Sequence, residues 1–210
     1  MGPDSGASGV AGGTSRFLTV AGAGESNFVE KRSRFMGFAM PVESADEAKE
    51  AIGRIAGEYH DARHVCWAYM IGAARAESMS SDNGEPSGTA GRPILGQINA
   101  LGLTNVAVAV VRYFGGIKLG PSGLIAAYRR AAREALEAAG TSEGCETGCV
   151  EAIFAYAAAD GVMKLLKRPG ISIESQTFDT TCRIVARTAT DNLDALAKAL
   201  EGTGATATII

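Results

Sequence analysis

Apolar residues recur along this chain in two rhythms, one of strands and one of helices. Phe35, Met36, Phe38 and Met40 fall in a run that predicts a strand over 33–42. From Asp46 to Tyr59 the apolar positions are Ala48, Ala51, Ile52, Ile55 and Ala56, which share one helical face. Asp46 and Glu47 suit the positive start of that helix. Val65–Ile71 predicts a second strand. Pro93 opens a short helix to about Leu101, because its missing amide costs nothing in a first turn. Val106–Val111 is apolar without alternation, the pattern of a strand covered on both faces. An alanine-rich helix follows over 123–139, with Gly140 as its stop.

The rhythm tightens after Thr141-Ser142-Glu143-Gly144, where the pattern places a boundary between a first domain, 15–142, and a second, 143–210. The second domain reads as a strand over 146–156, a helix over 161–167 and a turn at Arg168-Pro169-Gly170. Hairpin strands over 171–178 and 181–188, a helix over 191–201 and a last strand ending at Ile210 complete it. That β-α-β-β-α-β order is the ferredoxin-like arrangement, in which two helices cover one face of a small sheet. The expected class is α+β.

Composition adds limits. The chain has 210 residues, 46% apolar and 20% charged, and a net charge of −3. Charges nearly balance over 15–142, and the acidic excess sits in 143–210. With no basic arm, bulk attraction to nucleic acid is weak, and any phosphate binding must come from a local patch. Cys66, Cys145, Cys149 and Cys182 form no zinc or disulfide framework, so reduced thiols in a cytoplasmic protein are expected, with no metal and no cofactor. Residues 1–14 read as a disordered tail without signal-peptide character, and no run is long enough for a membrane span. Nothing demands an oligomer, and a monomer is the expectation.

The 27 glycines cluster at the start and in two polar segments, 80–93 and 112–123. In the first, Asp82-Asn83-Gly84 is a turn signal. Asp82 and Glu85 can accept hydrogen bonds there, and Ser87, Thr89 and exposed amides can receive an anion. In the second, a core strand delivers Arg112 and Tyr113 to a glycine-rich turn, and Lys118 follows. Ser122 is a candidate cap for the helix after it, whose free amides would attract an anion. Tyr113 and Phe114 can stack on a base or another ring. The glycine spacing matches neither a phosphate-binding P-loop nor a dinucleotide fingerprint. Arg63 and His64 are expected on the same surface, with His64 also able to act as a base. The plain alternative is two ordered loops whose polar atoms satisfy each other. Arg129, Arg130 and Arg133 read as a solvated helix face or an RNA contact.

Five stretches carry a family likeness: Glu30–Phe35, His64–Tyr69, Ser81–Gly91, Val110–Gly120 and Gly123–Tyr128. Together they resemble the YigZ/IMPACT family over roughly 25–140. The resemblance implies a first domain like domain 2 of ribosomal protein S5 and a ferredoxin-like second domain. It also implies a link to translation, since eukaryotic relatives regulate initiation by binding a large activator protein. Relatives usually have Asp-Gly-Glu where this chain has Asp82-Asn83-Gly84-Glu85, and often glycine at the position of Ser122.

The expected function is a binding protein with a regulatory role in translation, recognising RNA or a ribosome-associated factor. Arg63, His64, Arg112, Tyr113, Lys118 and Ser122 would meet phosphate or an acidic surface. Asp82, Glu85, Ser87 and Thr89 would shape the recess. Two alternatives stand beside it: a protein-interaction regulator without RNA, and a metal-assisted hydrolase using Asp82, Glu85 and His64.

Overall fold

The run Val106–Val111 lies at the centre of a five-stranded antiparallel sheet in a computed structural model, which describes residues 15–210. The tail expected over 1–14 lies outside the described residues. In chain order the first unit contains β1 (Arg16–Val20), β2 (Gly24–Glu30), β3 (Ser33–Pro41), α1 (Ala45–Glu58), β4 (His64–Ile71) and β5 (Glu77–Ser81). It continues with α2 (Gly91–Ala100), β6 (Val106–Tyr113), α3 (Gly120–Ala139) and β7 (Thr141–Cys145). The sheet order is β2-β3-β6-β4-β5.

Both faces of this sheet are covered, which explains why β6 lacks alternation. Phe35, Cys66, Ala68, Val108 and Val110 pack with Ile94 and Ile98 of α2 and Leu124 and Tyr128 of α3. The intervening residues Met36, Phe38, Val65, Ala109 and Val111 pack on the other side, where Ile55 and Ala56 of α1 join them. Helix α1 is capped by Ser44, whose hydroxyl accepts from the Glu47 amide at 3.2 Å. Glu47 reaches back to the Glu43 amide at 2.6 Å.

Strands β1, β2, β5 and β7 lie where the sequence pattern predicts no strand. β5 reads Glu-Ser-Met-Ser-Ser and β7 reads Thr-Ser-Glu-Gly-Cys, neither of which carries an apolar period. β7 pairs antiparallel with β1, Arg16 opposite Cys145 and Val20 opposite Thr141. This pairing draws 141–145 into the first unit, so the compact division falls between Cys145 and Glu146 rather than at 142.

The second unit, Glu146–Ile210 with Ser15, contains β8 (Thr147–Phe154), α4 (Ala159–Leu166), β9 (Ile171–Thr177), β10 (Cys182–Ala189), α5 (Leu193–Glu201) and β11 (Thr206–Ile209). Its antiparallel sheet has the order β11-β8-β10-β9. Val150, Ala152, Phe154, Ile184 and Ala186 bury one face against Val162 and Leu166 of α4 and Leu196 and Leu200 of α5. The chain is therefore α+β throughout.

Candidate functional site

The segment after β5 is stitched together by one carboxylate. Asn83 (φ 35°) and Gly84 (φ 85°) form a tight turn closed by the Glu85 amide donating to the Asp82 carbonyl at 2.9 Å. The chain then curls back over the Asp82 side chain. Oδ1 accepts from the amides of Ala90 (2.9 Å) and Gly91 (2.8 Å), and Oδ2 accepts from Gly88 (2.7 Å). Burial opposes the charge, but the three amides outweigh it and hold the Asp82 carboxyl below its usual range.

Glu85 points the other way, into the protein. Its Oε1 receives Arg112 Nη1 at 2.5 Å and the Tyr128 hydroxyl at 2.8 Å. The Glu85 and Arg112 side chains are only 3% and 6% exposed. Arg112 also donates from Nη2 to the Ser33 hydroxyl at 3.4 Å, and its guanidinium lies 5.5 Å from the Phe35 ring and 5.6 Å from the Phe114 ring. A buried pair of this kind fixes geometry more than it adds stability, because both charges have left water. Beneath it, the Cys66 thiol donates to the Asp82 carbonyl at 2.9 Å and lies 3.4 Å from the Tyr128 hydroxyl. Burial pushes this thiol up to about 12 and raises the Tyr128 phenol as well.

Above this buried cluster is an open recess of about 450 Å³. Its floor and walls include Arg63, His64, Glu85, Arg112, Phe114 and Lys118. Strand pairing sets the floor: His64 of β4 and Phe35 of β3 both stand opposite Arg112 of β6. His64 Nδ1 lies 3.0 Å from the Asn83 carbonyl, which only accepts, so Nδ1 carries the proton and Nε2 is the second polar edge. Gly115 brings the next loop against β3, where an added Cβ would collide with the Arg32 backbone. Lys118, exposed, then precedes α3, and Gly120 and Pro121 at the helix start complete the wall. That start has no side-chain cap. Among the described residues neither Arg63 nor Lys118 forms an ion pair.

The arrangement gathers Arg63, His64, Glu85, Arg112 and Lys118 and leaves the other five candidates outside the lining. Asp82 is occupied by its own loop. Thr89 is buried, its hydroxyl donating to the Pro86 carbonyl at 2.6 Å. Ser87 is exposed. Tyr113 follows Arg112 on the strand, so it turns to the opposite face and donates to Asp61 at 2.6 Å. Ser122 cannot cap because the helix begins at Gly120, which places Ser122 inside its first turn. Arg112, expected as a phosphate ligand, already holds a carboxylate. Tyr128 and Ser33 stand outside the sequence-predicted set yet hold the buried pair. Both lie in the stretches carrying the family likeness, but nothing in their spacing marks them as polar partners of a buried ion pair.

A common ion for Asp82, Glu85 and His64 does not fit this geometry. The two carboxylates point to different partners, and the proton-bearing edge of His64 faces a carbonyl. Among the described residues no group of three or more His, Cys, Asp or Glu is placed to hold a metal. The metal-assisted hydrolase reading therefore has no common site for an ion among the described residues. Among the described residues no helix is long and apolar enough to cross a membrane.

Known proteins provide a frame for this site. Residues 31–136 match the Impact N-terminal domain family model. The chain is 42% identical over 127 residues to the IMPACT family member YvyE of Bacillus subtilis, a match spanning 60% of this chain and 58% of that protein. It is 31% identical over 173 residues to an IMPACT family member of Haemophilus influenzae, covering 81% of this chain and 84% of that one. A crystal structure described as a hypothetical protein superposes with a TM-score of 0.73 at 26% identity, covering 93% of this chain and 97% of that one.

Proposed function

The chain belongs to the IMPACT family, and we propose that it is a binding protein of the translation apparatus whose recess takes a phosphate of RNA. One observation carries this reading: Arg63 and Lys118, without ion-pair partners among the described residues, line the same recess as the buried Arg112–Glu85 pair and the uncapped start of α3. Two exposed cations and a helix start suit a phosphate oxygen. Phe114, half exposed at the rim, offers a ring to an adjacent base. The buried pair acts as a fixed floor and leaves the outer cations to bind.

The same proposal extends to the two units. The order β11-β8-β10-β9 with both helices on one face supports a ferredoxin-like reading of 146–210. The β2-β3-β6-β4-β5 sheet with α3 across it supports an S5 domain 2-like reading of 16–145.

Fluorescence anisotropy with labelled structured and single-stranded RNA, titrated over a range of salt, tests the function. Saturable binding at low salt that falls with salt and weakens in Lys118→Ala and Arg63→Ala is expected. No saturable binding at low salt, to RNA or to ribosomes, contradicts it. A protein partner is the second reading, supported by the apolar Pro86, Leu119, Pro121 and Leu124 in the same wall. It predicts ribosome-fraction binding that survives nuclease.

A further inference from the structure

We propose that the groove between α2 and α3 continues the recess and holds the backbone of a single RNA strand leading away from it. This rests on the recess reading and extends it from one phosphate to a track.

The groove has a volume of about 570 Å³. Arg92 and Gly96 stand on its α2 wall, and Ile125, Arg129 and Arg133 on its α3 wall. No carboxylate lines it. In an acidic chain this is a local concentration of one sign, which is what weak bulk attraction requires of a phosphate-binding surface.

Continuity appears on both walls. Pro86 lines the recess and Gly88, two residues on, lines the groove. Pro121 lines the recess and Ile125, about one helical turn on, lines the groove. Arg129 and Arg133 then follow at four-residue spacing, about 6 Å apart along the axis. From Pro121 to Arg133 the helix rises about 18 Å, the length of about five stacked nucleotides at about 3.4 Å each. Arg129 and Arg133 one turn apart, with Arg92 across the groove, fit the evenly spaced anions of a polymer better than the irregular carboxylates of an acidic protein. Helices α2 and α3 pack directly, and axes about 8–10 Å apart leave a furrow for one strand rather than a duplex.

The charges that compete are accounted for. Arg133 gives Nε to Glu137 at 2.7 Å, with both side chains half exposed, and keeps its terminal nitrogens. Asp82 lies near enough to feel Arg92, but three amides hold its oxygens. Arg130, on the same helix, is excluded from the track: it pairs with Glu134 and lies 4.1 Å from the Phe28 ring.

Anisotropy with labelled oligouridylate of two lengths separates this proposal from the one beneath it. The full chain should bind an octanucleotide at least about tenfold more tightly than a dinucleotide, with a steeper salt dependence. The double variant Arg129→Ala/Arg133→Ala should bring the octanucleotide close to dinucleotide affinity. It should flatten the slope of log K against log salt by about 1.4, about 0.7 for each lost phosphate contact. It should leave the dinucleotide unaffected. If that variant leaves octanucleotide affinity and slope unchanged while Lys118→Ala weakens both probes, the track is overturned and the recess stands. If the double variant abolishes octanucleotide binding and Lys118→Ala has no effect, the recess fails as the anchor of the strand. If polyglutamate displaces the octanucleotide at equal or lower concentration, the surface recognises an acidic protein and the RNA track is overturned.

Discussion

Asp82 and Glu85 share one chemistry and have opposite surroundings, and their variants should separate accordingly. Asp82→Asn keeps one acceptor oxygen but sets an amide donor against the amide of Gly88, so it should cost about 1–3 kcal/mol at neutral pH. The folded carboxyl titrates below the unfolded one. Its contribution is therefore complete above the unfolded value and disappears as pH falls through the folded value. Urea denaturation should show the gap between wild type and Asp82→Asn closing below about pH 4. Glu85→Ala strands the buried Arg112 charge and should cost about 3–5 kcal/mol. Glu85→Leu/Arg112→Leu should lose less than Glu85→Ala, because neither charge remains buried alone. Cys66 gives a third readout. With its thiol up at about 12 it is almost entirely protonated at pH 8, so Ellman's reagent should label Cys66 only after unfolding, while the exposed Cys145 reacts in the native protein. At this scale the sequence marks which residues are polar in an unusual place. It does not say whether a polar atom faces an open recess or its own backbone. That distinction separates Lys118 from Asp82, and it depends on a loop closure six to nine residues long.

Elements follow the periodicity closely where an apolar period exists. The α1 face, the doubly covered β6 and the alanine-rich α3 are legible because burial demands their spacing. β5 and β7 are not, because they gain stability from pairing and carry no apolar stripe. The start of α3 shows what a small shift does. Reading the helix from Gly123 makes Ser122 a cap, whereas the observed start at Gly120 makes it an exposed first-turn residue and leaves the first-turn amides without a side-chain cap. The loop before α3 depends on Gly115, where any side chain meets the Arg32 backbone. Gly115→Ala should therefore displace the end of β6, lower stability by about 1–3 kcal/mol and weaken RNA binding together. Ser122→Ala should change neither, as thermal denaturation and anisotropy would show.

For the whole molecule, the acidic balance and the basic recess make opposite demands, and the resolution is spatial. The acidic excess belongs to the second unit, while the recess cations Arg63 and Lys118 and the groove cations Arg92, Arg129 and Arg133 all belong to the first. Two units were legible in the sequence. The division moved by a few residues because β7 pairs with β1, a contact between positions about 125 apart that local pattern does not encode. A fragment covering 16–145 contains that pairing and its own core, so it should fold cooperatively and retain RNA binding, measured by circular dichroism and anisotropy. The most direct measurement is the affinity of the full chain for single-stranded RNA across a salt series, set beside Lys118→Glu. The account predicts saturable binding that falls linearly in log–log form with salt and drops by at least about tenfold in the variant. Salt-independent binding, or a Lys118→Glu protein that binds as wild type, would contradict it.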